Sequence, residues 1–325
     1  MAKRLRLAVV GAGHMGKFHA RAVAERGDVD LVAVCDADAA RAAEVARAHG
    51  ARAESDLARL AGQIDAAIVA ASTPAHRDLA LALMRQGIAV LIEKPLAGTA
   101  REAREIAEAA RAAGVVVQVG HILRFDPVTR AIAGRGIRPR YIEVSWVSPF
   151  TFRSMDVGVV MDVLIHGLDV ALFLAGEMPD RVDAVGGVVV GPHEDFVNVR
   201  LAFPGGCVAT LSASRMSRTR QRLVRVFGDG AYMKLDYAAR TAEVLTPAAE
   251  LAEALRRGTP PAGARMEDLV KVEAIPVEAE PDALRAQLAG FIDAVRGEGP
   301  VAVTADDGAR AVEVAERIIR AVQGR

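Results

Sequence analysis

Over residues 1–121 short apolar runs alternate with segments of helical period. Leu5 to Val10 reads as a buried strand that breaks into Gly11-Ala12-Gly13-His14-Met15-Gly16, where a helix leaves. Leu31 to Cys35 follows as a strand and 38–49 as a helix; a short segment runs to Leu60, then Asp65 to Ala70 as a strand and 75–86 as a helix. Ile88 to Ile92, a helix from Thr99 to Ala112 opened by Thr99 with Glu102 three residues on, and Val115 to Val119 complete the series. The alternation predicts six strands of a doubly wound parallel sheet.

From residue 139 the period drops to two. Tyr141 to Val147, Val182 to Val190, Val197 to Phe203, Val208 to Ser212, Arg222 to Phe227 and Tyr232 to Asp236 carry alternating residues between glycine-rich turns, which predicts an open, mostly antiparallel sheet. One helix, Val157 to Ala175, precedes most of it. An Ala/Pro/Gly-rich stretch over 246–265 reads as a surface excursion, and helices over 282–296 and 305–323 end the chain.

The first strand and turn carry chemistry. Gly11 permits the tight turn, Gly13 lets a pyrophosphate approach the backbone, and Gly16 lets the helix pack on the strand while its amides face the phosphates. Asp36 ends the second strand, where a carboxylate accepts from both ribose hydroxyls and repels a 2′-phosphate. This is a Rossmann-type cradle, with NAD the expected cofactor and NADP the alternative through Arg41 or Arg47.

In such sheets the ligand lies beyond the strand ends. Those ends hold Ser72-Thr73-Pro74 with His76, Glu93-Lys94-Pro95, and Gly120-His121, polar groups in apolar surroundings. Each also has a plain reading as a helix cap, solvated charge or turn residue. The helix from Val157 is apolar nearly all round, yet Asp162, His166 and Asp169 recur on one face, and a polar stripe on a buried helix faces a cleft. A zinc site would need a third ligand that the sequence does not offer, so no metal is expected.

Composition narrows the field. The 325 residues suit two domains, and 41 cationic against 41 acidic side chains give no net charge to draw nucleic acid or an anionic membrane. Cys35 and Cys207 have no metal or redox spacing, and no apolar stretch is long enough to span a bilayer, so a cytoplasmic chain is expected. Only five cationic residues are lysine, which draws attention to Lys94 at a strand end.

The Gly11 loop, Asp36, Glu93-Lys94-Pro95 and Asp162-x-x-x-His166 together resemble the glucose-fructose oxidoreductase/inositol dehydrogenase/rhizopine-catabolism family over nearly the whole chain. The resemblance implies an NAD(P)-binding Rossmann domain over 1–121. It also implies a substrate-binding and oligomerisation α/β domain over 122–325, with the C-terminal helices free to pack back on the first. It implies Lys94, Asp162 and His166 as the catalytic group, and a homodimer or homotetramer. Gly11, Gly13, His14, Met15, Gly16, Asp36, Ser72, Thr73, Pro74, His76, Glu93 and Lys94 are the expected cofactor contacts.

Residues 119–127, 153–157, 192–195 and 212–215 look like the branch of UDP-N-acetylglucosamine 3-dehydrogenases, although Gly167 stands where that branch commonly has an acidic residue. The activity implied is hydride transfer between a sugar carbinol carbon and nicotinamide, at the 3-hydroxyl of a UDP-N-acetylhexosamine. His121, Arg124, Arg153 and Arg215 join Asp162 and His166 as expected substrate contacts; the other arginines near them, at 218, 220, 222 and 225, read as well as solvated surface. A free polyol or aldose dehydrogenase, a non-catalytic dinucleotide-binding regulator and an NAD-dependent glycosidase are the competing readings.

Overall fold

Strand and helix alternate to build a six-stranded parallel sheet in the computed structural model, which describes residues 4–132, 135–150, 157–259, 263, 265, 270–277 and 282–324. Its strands are β1 (Leu5–Val10), β2 (Val29–Cys35), β3 (Arg52–Glu54), β4 (Ala66–Val69), β5 (Ala89–Glu93) and β6 (Val117–Gly120), ordered β3-β2-β1-β4-β5-β6. Parallel neighbours need crossovers, supplied by α1 (His14–Ala24), α2 (Ala39–Ala48), α3 (Thr73–Met84) and α4 (Ala100–Ala113). The order reverses between β1 and β4, where a doubly wound sheet opens a crevice beyond its strand ends. Side chains fix where two of the helices begin. Asp38 accepts from the amides of Ala40 and Arg41 at 3.0 and 3.1 Å, and Thr99 accepts from Glu102 at 3.2 Å, each cap contributing about 1 kcal/mol.

This sheet belongs to the first of two compact units, Met1–Phe125 with Pro281–Glu316; the second is Asp126–Glu280 with Arg317–Arg325. The second unit opens with a short helix, α5 (Pro127–Arg130), and an eight-stranded sheet. Its strands are β7 (Pro139–Val147), β8 (Arg181–Gly187), β9 (Phe196–Ala202), β10 (Val208–Ser214), β11 (Gln221–Gly228), β12 (Ala231–Asp236), β13 (Thr241–Pro247) and β14 (Val270–Ile275), ordered β14-β13-β12-β11-β7-β10-β9-β8. Neighbours are antiparallel except β7 and β10. Alternate residues such as Ile142, Val144 and Trp146 of β7 and Val197, Val199 and Leu201 of β9 are buried on one face. That face carries α6 (Ile165–Ala175), which is preceded by a π-helical turn over Val160–Leu164.

Two expectations are corrected here. The strand expected to reach Val190 stops at Gly187, because the amides of Val189, Val190 and Gly191 turn to the Asp195 carboxylate at 2.7, 2.7 and 3.2 Å instead of continuing the ladder. The sheet is mostly antiparallel as expected and has two strands, β13 and β14, beyond those the alternation marked. Within the 246–265 stretch read as an excursion, β13 runs on to Pro247 and α7 (Ala249–Arg256) follows, while 260–262 and 264 lie outside the described residues.

The chain then supplies α8 (Ala283–Arg296) to the first unit, with α9 (Ala305–Val322) divided between the two at Glu316. Leu284, Leu288, Phe291 and Ile292 of α8 join Leu7, Val9, Val29 and Ile68 in one core. Burying side chains of this size stabilises by about 2 kcal/mol each. Gly308 of α9 lets the helix close on β6, since a Cβ there would lie 2.8 Å from Val119 Cγ2.

Candidate active site

The cradle at the end of β1 is shaped by what glycine omits. Gly11 sits at φ +99°, and a Cβ there would fall 2.5 Å from the Ala71 amide; one at Gly16 would fall 1.8 Å from the Gly11 carbonyl oxygen. Gly13 differs. A Cβ there would meet no protein atom within 4 Å, so this side of the loop is open and could admit a ligand. Gly13 is also the N-cap of α1 with no side-chain cap, which leaves the amides of the first turn to an anion. Asp36 is locked to the loop: one carboxylate oxygen accepts from the Ala12 amide at 2.6 Å and the other from Asp38 at 2.9 Å. Arg41 lies 4.0 Å from Asp36 but 3.2 Å from Asp38, so a carboxylate stands where a 2′-phosphate would need a free cation. The residues therefore fit NAD. His14 is exposed with its ring edge-on to Phe18 at 4.9 Å, and Met15 is half-buried.

The other strand ends of this unit are tied together by buried histidines. Ser72 caps α3 without a side-chain bond, and Thr73 and Pro74 form its first turn. His76 is buried with Nδ1 3.0 Å from the Pro95 carbonyl and Nε2 3.0 Å from the Ala71 carbonyl. Burial lowers its pKa against those two bonds, and the neutral ring has one N–H to give to one of them. Both nitrogens thus face backbone, tying the loop after β4 to the loop after β5. Glu93 is also buried. One oxygen pairs with His19 Nε2 at 2.7 Å and the other accepts from the Lys94 amide at 3.2 Å. Burial pushes this carboxyl up, but the His19 bond and the charges of His19 and Lys94 outweigh it, leaving the pKa below its ordinary value. Lys94 is half-buried, its peptide to Pro95 is cis, and His121 and half-buried Arg124 follow directly on β6.

His19 was not among the expected site residues. Its signal is position: Gly16, His19, Ala20 and Val23 form the buried face of α1, where an imidazole calls for a buried partner.

In the second unit, Asp162 lies in the π-helical turn and His166 in the first turn of α6, and both are half-exposed, whereas Asp169 is buried. The stripe therefore narrows to the first two. The His166 ring stacks on Trp146 of β7, centroids 6.5 Å apart and planes at 26°. Gly167 faces the sheet: a Cβ there would lie 2.5 Å from Val144 Cγ1 and 3.4 Å from the Trp146 ring, which accounts for glycine where an acidic residue is common in the branch it resembles.

The start of this segment is clamped by the β8–β9 loop. Glu194 accepts from Val159 through its carbonyl at 2.9 Å and from Val160 through its carboxylate at 3.2 Å, and Gly158 leaves the room for it.

Arg215 belongs to that clamp. Expected as an accessible substrate contact, it is 4% exposed, and its guanidinium donates to Asp195 at 2.7 Å and to the Val157 carbonyl at 3.1 Å. Burial pushes the Asp195 carboxyl up, but three backbone amides and Arg215 hold it well below the usual carboxylate range. Arg153 lies outside the described residues.

Among the described residues no group of three or more His, Cys, Asp or Glu could hold a metal, and no helix is long and apolar enough to cross a membrane. Cys35 and Cys207 are free and buried, and burial, with the charges of Glu54 and Asp36, pushes the Cys35 thiol up to about 11.

A doubly wound sheet, a glycine cradle open at Gly13 and a carboxylate at the end of the second strand are the features of an NAD-binding oxidoreductase domain, here followed by a separate sheet domain. Residues 5–121 match the family model for oxidoreductases with an NAD-binding Rossmann fold, and residues 134–234 match the model of the GFO/IDH/MocA C-terminal domain. The chain belongs to the GFO/IDH/MocA oxidoreductase family.

A UDP-N-acetylglucosamine 3-dehydrogenase of Acidithiobacillus ferrooxidans is 33% identical over 320 residues, 98% of this chain and 97% of that one. A solved structure of the enzyme of that name from the same organism superposes with a TM-score of 0.88 at 32% identity, covering 99% of each chain. An inositol 2-dehydrogenase of Rhizobium meliloti is 33% identical over 227 residues, 65% of this chain and 69% of that one. The structure of GenD2 from gentamicin A biosynthesis in complex with NAD has a TM-score of 0.81 at 25% identity, covering 100% of this chain and 96% of that one.

Proposed function

We propose that the protein oxidises the 3-hydroxyl of a UDP-N-acetylhexosamine with NAD. The observation that carries this reading is the likeness to the UDP-N-acetylglucosamine 3-dehydrogenase over 98% of this chain and 97% of that one. Bound NAD supplies the hydride acceptor. The amides around Gly11, Gly13 and Gly16 hold its pyrophosphate and Asp36 its ribose, and Ser72, Thr73, Pro74 and Glu93 shape the strand ends beside it.

His166 takes the hydroxyl proton, an acid–base role that imidazole suits, with its ring stacked over Trp146 at 6.5 Å between centroids. Asp162, four residues earlier, orients the imidazole or a neighbouring hydroxyl. Lys94 stabilises the developing alkoxide with a compact ammonium charge. Arg124 and Arg153 contact the substrate phosphates.

A free polyol such as an inositol is the second reading, favoured by the inositol 2-dehydrogenase relative. NADH absorbance on mixing the protein with NAD and either UDP-N-acetylglucosamine, inositol or simple aldoses separates the two. Turnover with the UDP sugar alone supports the proposal, turnover with a free polyol alone replaces it, and tight NAD binding without any turnover points to a regulator.

The same reading includes a cytoplasmic homo-oligomer. Its support is an apolar row across the open face of the second sheet, where Val208, Tyr141, Phe227, Tyr232, Leu245 and Val272 stand in register on six neighbouring strands. Phe227 and Val272 remain 41% and 60% exposed in the single chain, and an apolar row of this extent suits a face covered by another chain. Light scattering that returned a monomer at micromolar concentration would remove this part.

A further inference from the structure

Arg222, which the sequence alone reads as solvated surface, is half-buried. It stands in β11 directly opposite Trp146 of β7, with its guanidinium carbon 5.7 Å from the centre of the Trp146 ring. His166 stacks on the same indole at 6.5 Å, so guanidinium and imidazole are no further apart than those two spans laid end to end.

The guanidinium is half-buried and, among the described residues, donates to no carboxylate or carbonyl. That sets it apart. Arg6, Arg26, Arg77, Arg215, Arg225 and Arg296, likewise wholly or partly buried, each donate to a carboxylate. Burial and the nearby charge of Arg220 lower the Arg222 pKa against the opposing charge of Asp126. Asp126 itself is engaged as the N-cap of α5, accepting from Val128 at 2.9 Å. A guanidinium has five N–H donors in a flat fork matched to phosphate or carboxylate, and leaving it half-desolvated without an anion is costly.

We propose that Arg222 recognises the anionic group of the substrate, a phosphate of a sugar nucleotide or the carboxylate of a uronic acid, while His166 on the other contact of Trp146 addresses the hydroxyl. The inference rests on the proposed dehydrogenase reading for the identity of the second group, but anion binding at Arg222 is measurable without turnover. Arginine suits the position better than lysine, because a planar guanidinium can stack on an aromatic face and still offer two parallel donors.

The test titrates UDP, and separately glucuronate, into the NAD-loaded protein by calorimetry for the parent, Arg222→Gln and Arg222→Lys. Melting temperature and NAD affinity serve as controls of folding. UDP is expected to bind the parent, to bind Arg222→Gln about tenfold or more weakly, and to bind Arg222→Lys in between. Glucuronate binding lost in the same order, with UDP unbound by all three proteins, identifies a carboxylate as the anion and also supports the proposal. Equal binding of UDP or glucuronate by parent and Arg222→Gln, or binding of neither by the parent, overturns it.

Steady-state turnover adds a readout that loss of packing would not give. Arg222→Gln lowers kcat/KM for UDP-N-acetylglucosamine about tenfold more than it lowers kcat/KM for neutral N-acetylglucosamine. An equal loss on both sugars makes Arg222 a support of Trp146 and overturns the proposal. A parent that binds UDP through Arg222 yet never reduces NAD with the UDP sugar removes the dehydrogenase reading and leaves the anion site standing.

Discussion

Replacing Arg215 with Met tests whether this side chain holds the fold rather than the substrate. Met fills most of the volume, so the main loss is electrostatic. Asp195 is wholly buried, and its Oδ1 has Arg215 as its charged partner at 2.7 Å. Stranding a buried carboxylate in this way costs about 3–5 kcal/mol, and the Val157 carbonyl loses a donor worth about 1 kcal/mol more.

For a unit of this size that loss lowers the melting temperature by roughly 10–20 °C. Adding Asp195→Asn removes the stranded charge, so the double variant is expected to melt above the Arg215→Met single variant. Acid unfolding gives a second readout. Because the folded Asp195 carboxyl is held below its ordinary value of 3.8, its contribution is complete above that value and is lost as pH falls through the folded pKa. Without Arg215 the folded pKa rises, so acid unfolding starts at a higher pH. Differential scanning calorimetry and an acid titration followed by tryptophan fluorescence measure both. A single variant that melts within about 2 °C of the parent, or a double variant no more stable than the single, refutes the assignment.

Other outcomes follow from the same geometry. Gly13→Ala is expected to melt with the parent yet bind NAD about tenfold or more weakly, whereas Gly16→Ala is expected to lower the melting temperature, since its Cβ would strike the Gly11 carbonyl at 1.8 Å; calorimetry on both distinguishes them. Asp36→Ala is expected to raise KM for NAD and narrow the preference over NADP, measured as the ratio of kcat/KM values. His166→Ala is expected to lower kcat by about 10²–10⁴-fold in single-turnover hydride transfer. Retention of most of that rate, with its loss in Lys94→Met, would make Lys94 the base instead. Gly167→Glu is expected to unfold or markedly destabilise the second unit, because the side chain would start 2.5 Å from Val144.

What could be read in the sequence was what is local in the chain. The strand, glycine turn and helix from Leu5 to Ala24, and Asp36 at the next strand end, are set by neighbours a few residues away, and the parallel sheet followed from their repetition. Asp162 and His166 stood out because an apolar helix exposes a polar pair only toward open space. Asp169 looked equivalent by spacing, but its position on α6 is buried.

The arginines were not legible. Arg215 and Arg222 sit seven residues apart in similar strand-like sequence, and only tertiary pairing brings Asp195 to the first and Trp146 to the second. The β14 strand was missed for a related reason: its partner β13 lies across an Ala/Pro/Gly-rich stretch, and pairing at that separation leaves no local signal. His19 was passed over because its partner Glu93 is 74 residues away.

The position of hydride loss is read by following one hydrogen. UDP-N-acetylglucosamine carrying deuterium at C3 or at C4 is mixed with the protein and NAD, with an aminotransferase present to consume the ketone, and the reduced cofactor is examined by mass spectrometry. Deuterium is expected in the cofactor from the C3-labelled sugar alone, at a rate reduced by a primary isotope effect when hydride transfer limits turnover. Deuterium arriving from C4, or an unlabelled reduced cofactor from the C3-labelled sugar, would contradict it.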